Sequence, residues 1–207
     1  TTRNMASIIE KKALCSGLNW TVQSVEENMK PIEQIAEKIQ QSDMVLIGVG
    51  DEFTEKKGKN TKEEILQAYQ KVMDLVKGKP WFLVTVNTDD LVYDAGVNRF
   101  FVVAPCGSDR SGNVVTNEDY DESCYLSQWQ YYRNWLTSTI GKKLCILELG
   151  VGMAYPSVIR MPFERTVLYN QKSSMIRIHS KLAQVPEEIQ NRSICYDENP
   201  VKFLNTL

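Results

Sequence analysis

Twice in this chain a predominantly apolar run ends on Gly-Val-Gly. Met44-Val45-Leu46-Ile47 leads into Gly48-Val49-Gly50, and residues 144–149 lead into Gly150-Val151-Gly152. A strand without polar alternation has to be buried on both faces, and that occurs in a parallel sheet covered by helices on either side. Glycine at the end of such a strand lets backbone N–H groups approach a phosphate beside a helix N-terminus. Each turn alone is a weak signal, because neither completes the six-residue dinucleotide fingerprint.

The intervening sequence supplies the helices. Ile32, Ile35, Ala36 and Ile39 have the spacing of one buried helical face, which predicts a first helix over 31–41. Residues 51–60 read as a polar loop, and Thr61-Lys62-Glu63-Glu64 matches a capping box for a helix whose face is Ile65, Tyr69, Val72 and Val76. Trp81-Phe82-Leu83-Val84 reads as the next strand and runs into the polar turn Asn87-Thr88-Asp89-Asp90. A further strand is expected over 99–104, a hairpin near Val114-Val115, and a helix over 119–140 whose aromatic face packs into the core. The pattern then predicts a helix over 156–168 interrupted at Pro162, strands at 175–178 and 193–196, and a closing helix over 201–207. Strands alternating with helices imply right-handed crossovers. The expected fold class is therefore α/β, a Rossmann-like doubly wound parallel sheet with a reduced small subdomain or hairpin excursion at about 105–140. One domain is expected over 1–207, with 1–30 as an N-terminal segment.

Composition removes several alternatives. With 43% hydrophobic and 24% charged residues the chain has the make-up of an ordinary globular domain. A formal net charge of −2 with dispersed Lys and Arg lacks the footprint of a nucleic-acid binder. No apolar stretch approaches the roughly 20 residues that cross a bilayer, so a cytoplasmic location without membrane contact is expected. Five cysteines, Cys15, Cys106, Cys124, Cys145 and Cys195, are widely spaced without a Cys-x-x-Cys pair, so neither a disulfide framework nor a structural zinc site is expected.

Read together, the two glycine turns, Val86-Asn87-Thr88-Asp89, Ala95-Gly96, Cys106-Gly107 and Ile178-His179 resemble, in order and spacing, the sirtuin family. In the last third, 147–152, Pro162-Phe163-Glu164 and 191–195 resemble the branch of sirtuins encoded beside macrodomain proteins, a protein ADP-ribosyltransferase group. The resemblance implies a sirtuin-like fold and NAD as the cofactor. It implies that Gly48, Val49, Gly50 and Phe53 border the cofactor diphosphate and its loop, with Thr85, Cys106 and Gly107 also facing the cofactor. Asn87 and Asp89 would hold the nicotinamide amide and ribose and act as the catalytic pair. Gly150, Val151 and Gly152 would face the adenosine half, and His179 stands where the family has an adenine-ribose Asn. Cleavage of the nicotinamide–ribose bond passes through an oxocarbenium-like state that an oriented carboxamide and carboxylate can stabilise. Asn87-Thr88-Asp89 also suits the cap of a helix starting near Asp90, a reading that the family context makes the lesser one.

Three departures from the family pattern bear on activity. Cys106 stands where a deacetylating sirtuin has its general-base His, and a thiol in that place serves as a base only if its pKa is depressed; a small buried residue is the simpler reading. Residues 111–116 replace the four-cysteine zinc module, so no metal is expected. Asp51-Glu52-Phe53-Thr54 offers no Arg for the diphosphate, which leaves Lys56 or Lys57 for that task. The expectation is an NAD-binding protein that transfers ADP-ribose to a protein acceptor or hydrolyses NAD, rather than a deacetylase. The alternative is an inactive sensor or interaction module that binds NAD or ADP-ribose.

Overall fold

The structure, a computed structural model, describes residues 30–115 and 121–206. The segment through residue 29 with Cys15, the 119–120 start of the expected aromatic helix, and Leu207 lie outside the described residues. The chain divides into two units, 1–35 and 36–207. Helix α1 (Pro31–Gln41) begins in the first and ends in the second.

The second unit is built on β1 (Met44–Val49), β2 (Trp81–Thr85), β3 (Val102–Val103), β6 (Leu144–Leu149), β7 (Ser174–Ile178) and β8 (Ser193–Tyr196). These form a six-stranded sheet in the order β3-β2-β1-β6-β7-β8. Every pairing in it is parallel. All six residues of β1 and of β6 are buried, as expected of central parallel strands, although β6 carries Glu148 in its otherwise apolar run. A two-stranded antiparallel hairpin, β4 (Gly107–Ser108) with β5 (Asn113–Val114), stands outside the sheet where a hairpin was expected.

Helices fill the crossovers. The expected polar loop at 51–60 instead holds a 3-10 turn (Asp51–Phe53) and the one-turn helix α2 (Glu55–Gly58), which Thr54 caps by accepting from Lys57 N. Helix α3 (Lys62–Leu75) starts with the expected capping box: Thr61 accepts from Glu64 N, and Glu64 accepts from Thr61 N. Helix α4 (Leu91–Asp94) follows β2, and α5 (Leu126–Ser138) carries the aromatic face. That face lies in the core: Tyr132 meets Phe82 at 5.4 Å between ring centroids, and Trp129 meets Tyr132 at 5.4 Å.

Helix α6 (Arg160–Tyr169) contains Pro162 in its first turn. The N–H groups of a first turn have no intrahelical partner, so proline starts this helix rather than interrupting it. Two short helices, α7 (Glu187–Gln190) and α8 (Pro200–Asn205), flank β8. Of the expected strand at 99–104, only Val102 and Val103 pair with β2, while Arg99–Phe101 turns into a 3-10 helix. Among the described residues no helix is long and apolar enough to cross a membrane.

Candidate functional site

Strand β1 sends its chain to β2 on one side of the sheet, and β6 sends its chain to β7 on the other. The sheet reverses winding between them, and in open α/β sheets ligands bind outside the carboxyl ends at such a point. Both Gly-Val-Gly sequences lie here. Gly48 is inside β1, where a Cβ would fall 2.6 Å from Phe163 and 2.7 Å from Ile159, so its lack of a side chain admits helix α6. Gly50 N donates to Leu149 O (2.9 Å) and Glu52 N to Gly150 O (3.2 Å), which stitches the two turns together. A Cβ on Gly50 would sit 2.4 Å from Val151 Cα, and Gly150 adopts φ +62° with Glu52 Cβ 2.7 Å from where its own Cβ would be. Gly150 N donates to Ile178 O (2.8 Å). The N–H groups of Gly50 and Gly150 are therefore engaged by carbonyls, and the glycines serve first the close approach of one turn to the other.

On the β2 side the polar turn closes over helix α3. Asn87, 8% exposed, has its N–H on Thr85 Oγ1 (3.1 Å) and its Nδ2 at the edge of hydrogen-bond range, 3.5 Å from Phe53 O. Asp89 Oδ1 accepts from Leu91 N (3.1 Å) and so caps α4, whereas its buried Oδ2 has no hydrogen-bond partner. Burial pushes the Asp89 carboxyl upward; Leu91 N–H pulls it down, and the charges of Asp109, Asp90 and Glu55 raise it further. Beneath lies the phenol of Tyr69, 1% exposed, packed on Phe53 with ring centroids 4.8 Å apart and without a hydrogen-bond partner. Burial and then the Asp89 charge hold this phenol well above its ordinary pKa, while the Asn87 amide pulls the other way. Asn87, Asp89 and Tyr69 thus form one cluster. Tyr69 was read from sequence only as a core residue.

The neighbouring Asp90 is a second residue that the sequence reading left without a role. It takes φ +60° at the start of α4, and its carboxylate accepts from Ser108 Oγ (2.6 Å) and Arg110 N (3.3 Å), fastening α4 to the hairpin. A cavity of about 490 Å³ opens beside it, lined among others by Tyr93, Arg99, Arg110 and Tyr125. This cavity adjoins the Asn87–Asp89 cluster without including it. Cys106, just before the hairpin, is buried, and burial raises its thiol to about 11. Arg110 is committed to Asp94 at 2.8 Å. A thiol held protonated at neutral pH is no general base.

On the β7 side His179 is 6% exposed, and its Nδ1 accepts from Lys181 N (3.1 Å) and Leu182 N (3.2 Å). Two donors on Nδ1 place the ring proton on Nε2. Burial lowers its pKa, against the raising effect of Glu52 and Asp51, and Arg160 and Arg177 lower it further. Glu52 arrives from the β1 turn, accepting from Ser180 N (2.9 Å) and from Ser180 Oγ, with Oε2 3.3 Å from His179 Nδ1. Lys57, one of the two candidates for a diphosphate contact, is paired with Asp51 at 2.8 Å, and Lys56 is exposed.

Below this turn runs an ionic network that neither periodicity nor motif indicated. Arg177 of β7 and Glu148 of β6, both 0% exposed, meet at 2.7 Å, and Arg177 Nη2 also donates to Glu148 Oε2 (3.1 Å) and Glu164 Oε1 (2.8 Å). Arg160 lies 3.8 Å from both carboxylates and donates to Val151 O, Leu182 O and Gln184 O. It therefore holds the turns after β6 and β7. The only sequence sign is a charge inside each apolar strand.

The strand order and crossover pattern define a doubly wound, Rossmann-like parallel sheet. Comparison with solved structures makes the assignment narrower: the chain has a sirtuin-like fold. It is similar to a Sir2 homologue solved in complex with NAD, at a TM-score of 0.56 and 12% identity, covering 86% of this chain and 92% of that one. A Sir2 complex with a p53 peptide and NAD+ matches at a TM-score of 0.54 and 12% identity, covering 86% and 97%. Among curated proteins, a protein ADP-ribosyltransferase of Staphylococcus aureus (strain Mu50 / ATCC 700699) is 19% identical over 188 residues. That match takes in 68% of this chain, and the chain spans about 60% of the relative's length. No family model matches.

Proposed function

We propose that this chain binds NAD across the β1/β6 crevice and cleaves it at the nicotinamide–ribose bond, as a protein ADP-ribosyltransferase or NAD glycohydrolase rather than a deacetylase. The observation that carries the reading is the Asp89 carboxylate, partly buried, with Oδ2 lacking a partner and its pKa raised by burial. Such a group gains most from a positive charge arriving beside it, and breaking the bond from ribose C1′ to the nicotinamide nitrogen moves the pyridinium charge onto the ribose. The pair of electrons leaves with nicotinamide. The acceptor, a protein side chain or water, then bonds to C1′ and gives up its proton to solvent. The Asn87 amide, anchored beside Phe53, would orient the leaving carboxamide. Gly150, Val151, Gly152 and His179 would receive the adenosine half. Sir2 structures solved with NAD support the cofactor, and the Staphylococcus relative's name supports transfer of ADP-ribose.

A second reading, a sensor that binds NAD or ADP-ribose without cleaving it, is favoured by one observation. Burial holds the Cys106 thiol at about 11, so the general base of a deacetylating site is missing. One incubation with NAD separates the two, following thermal shift and nicotinamide release in the same sample. At about 100 times the dissociation constant a ligand adds about 2.7 kcal/mol, an easily measured shift. Shift with release is expected, and Asn87→Ala should abolish release while retaining the shift. A shift without release leaves the sensor, and no shift removes NAD altogether.

A further inference from the structure

The carboxylate of Glu52 bonds to the turn after another strand. From the turn after β1 it passes over Gly150, whose missing side chain makes the passage possible, and reaches the turn after β7. There it binds Ser180 through both N–H and hydroxyl and faces His179. Strand β6 lies between the two strands so joined. Glu52 therefore lies across the carboxyl ends of the second half of the sheet.

A dinucleotide straddling a switch point places one nucleoside over each half of the sheet. If Asn87 and Asp89 take the nicotinamide side, the adenosine lies over β6 and β7, where Glu52 is. The chemistry there suits a sugar diol and opposes a phosphate. A carboxylate accepts from ribose hydroxyls, and His179, whose Nδ1 accepts from two backbone N–H groups, carries its ring proton on Nε2. The cations nearby are engaged: Lys57 with Asp51, and Arg160 and Arg177 with Glu148 and Glu164. Lys181 is an exposed neighbour in the chain.

We infer that Glu52 is a specificity-determining residue that accepts from the adenosine ribose hydroxyls and excludes a 2′-phosphate, which makes the site selective for NAD over NADP. This inference rests on the proposed NAD site. Its test uses ADP-ribose and 2′-phospho-ADP-ribose, which lack nicotinamide and so report on the adenosine half alone. Calorimetric titration of the wild type should show at least about tenfold tighter binding of ADP-ribose, about 1.4 kcal/mol. In Glu52→Gln, which keeps a side chain able to bond Ser180, the ratio should fall to about two or three, chiefly because the phosphorylated ligand gains. A ratio unchanged by the substitution overturns the inference, as does a wild type that prefers the phosphorylated ligand through Lys181. Equal gains for both ligands in Glu52→Gln show a side chain that merely blocks the crevice, and also overturn it. If the wild type binds neither ligand, the dinucleotide reading itself fails and takes the role of Glu52 with it; binding with undiminished selectivity in the variant fails the inference alone.

Discussion

The two halves of the sheet treat buried charge in opposite ways. On the β6–β7 side Glu148 and Arg177 are fully enclosed, yet each meets an opposite charge, and Glu164 and Arg160 extend the pairing to the turns above. On the β2 side Asp89 keeps one buried oxygen without a partner, over a Tyr69 phenol that also has none. Native proteins leave few buried polar groups unsatisfied, and the exceptions ask for an explanation. Glu148 Oε1 and Arg177 Nε, 2.7 Å apart, meet as an ion pair without hydrogen-bond geometry, so the β6–β7 side has paired charge, which on the proposed reading is the scaffold for the turns that would receive adenosine. On the same proposed reading the unpaired Asp89 oxygen is where a ligand would complete the pairing, and the difference would then separate holding from reacting within one crevice.

The contrast breaks most visibly at Arg177. Replacing it with Met leaves Glu148 buried, its pKa already pushed up by burial, without its main counter-charge. Removing one partner of a buried pair costs about 3–5 kcal/mol, which at about 2–4 °C per kcal/mol for a chain of this size predicts a fall of about 10 °C in Tm. Thermal denaturation at neutral pH reads this directly. A loss under about 1 kcal/mol, the range of exposed pairs, would show that the network is ornamental and the two halves are alike.

Asp89→Asn should act in the opposite direction on stability. The amide retains the oxygen that accepts from Leu91 N and removes a desolvated charge crowded by Asp109, Asp90 and Glu55. A small gain, under about 1 kcal/mol because solvent screens a half-buried carboxylate, is expected near neutral pH, with loss of any nicotinamide release. The sign with pH follows from the raised pKa. The folded wild type binds a proton more readily than the unfolded chain, so its stability increases as pH falls through the folded pKa toward the unfolded value of about 3.9. The advantage of the variant should therefore shrink on acidification and vanish once Asp89 is protonated in both states. Denaturant titrations of both proteins between neutral pH and pH about 4 test it; an advantage that grows on acidification would contradict the assignment.

What the sequence disclosed and what it withheld divide along the same physical line. Strand β1 was legible because its whole run is apolar, β6 because only Glu148 breaks an otherwise apolar run, and α3 because its capping box is local. The sirtuin-like fold was legible because the glycine turns and Asn87-Thr88-Asp89 stand in order at strand ends. Strand β3 was overread: Arg99–Phe101 is apolar enough for a strand, but only the next two residues reach β2, and Phe100 is left 54% exposed. Glu52 and Ser180 are 128 residues apart, Glu148 and Arg177 are 29 apart, and Tyr69 meets Asn87 and Asp89 from another element. No periodicity or motif encodes such meetings, because they follow from how the crossovers place the turns.

The smallest effect probes the claim of unsatisfied polarity at its base. Tyr69 occupies the helical face with Ile65 and Val72, where it looks like ordinary core, and a phenylalanine would fill the same space. If its hydroxyl is unpaired, Tyr69→Phe discards a buried polar group that had no partner, and stability should hold or increase by up to about 1 kcal/mol. If the phenol is bonded to the Asn87 amide in solution, the same substitution strips a partner from a second buried group and costs about 1 kcal/mol or more. Equilibrium unfolding of Tyr69→Phe, alone and combined with Asn87→Ala, distinguishes the cases through the coupling between the two sites. No coupling is the expected result, and coupling above about 0.5 kcal/mol would move Tyr69 from the unsatisfied cluster to a satisfied support beneath it, narrowing the contrast between the halves to Asp89 alone.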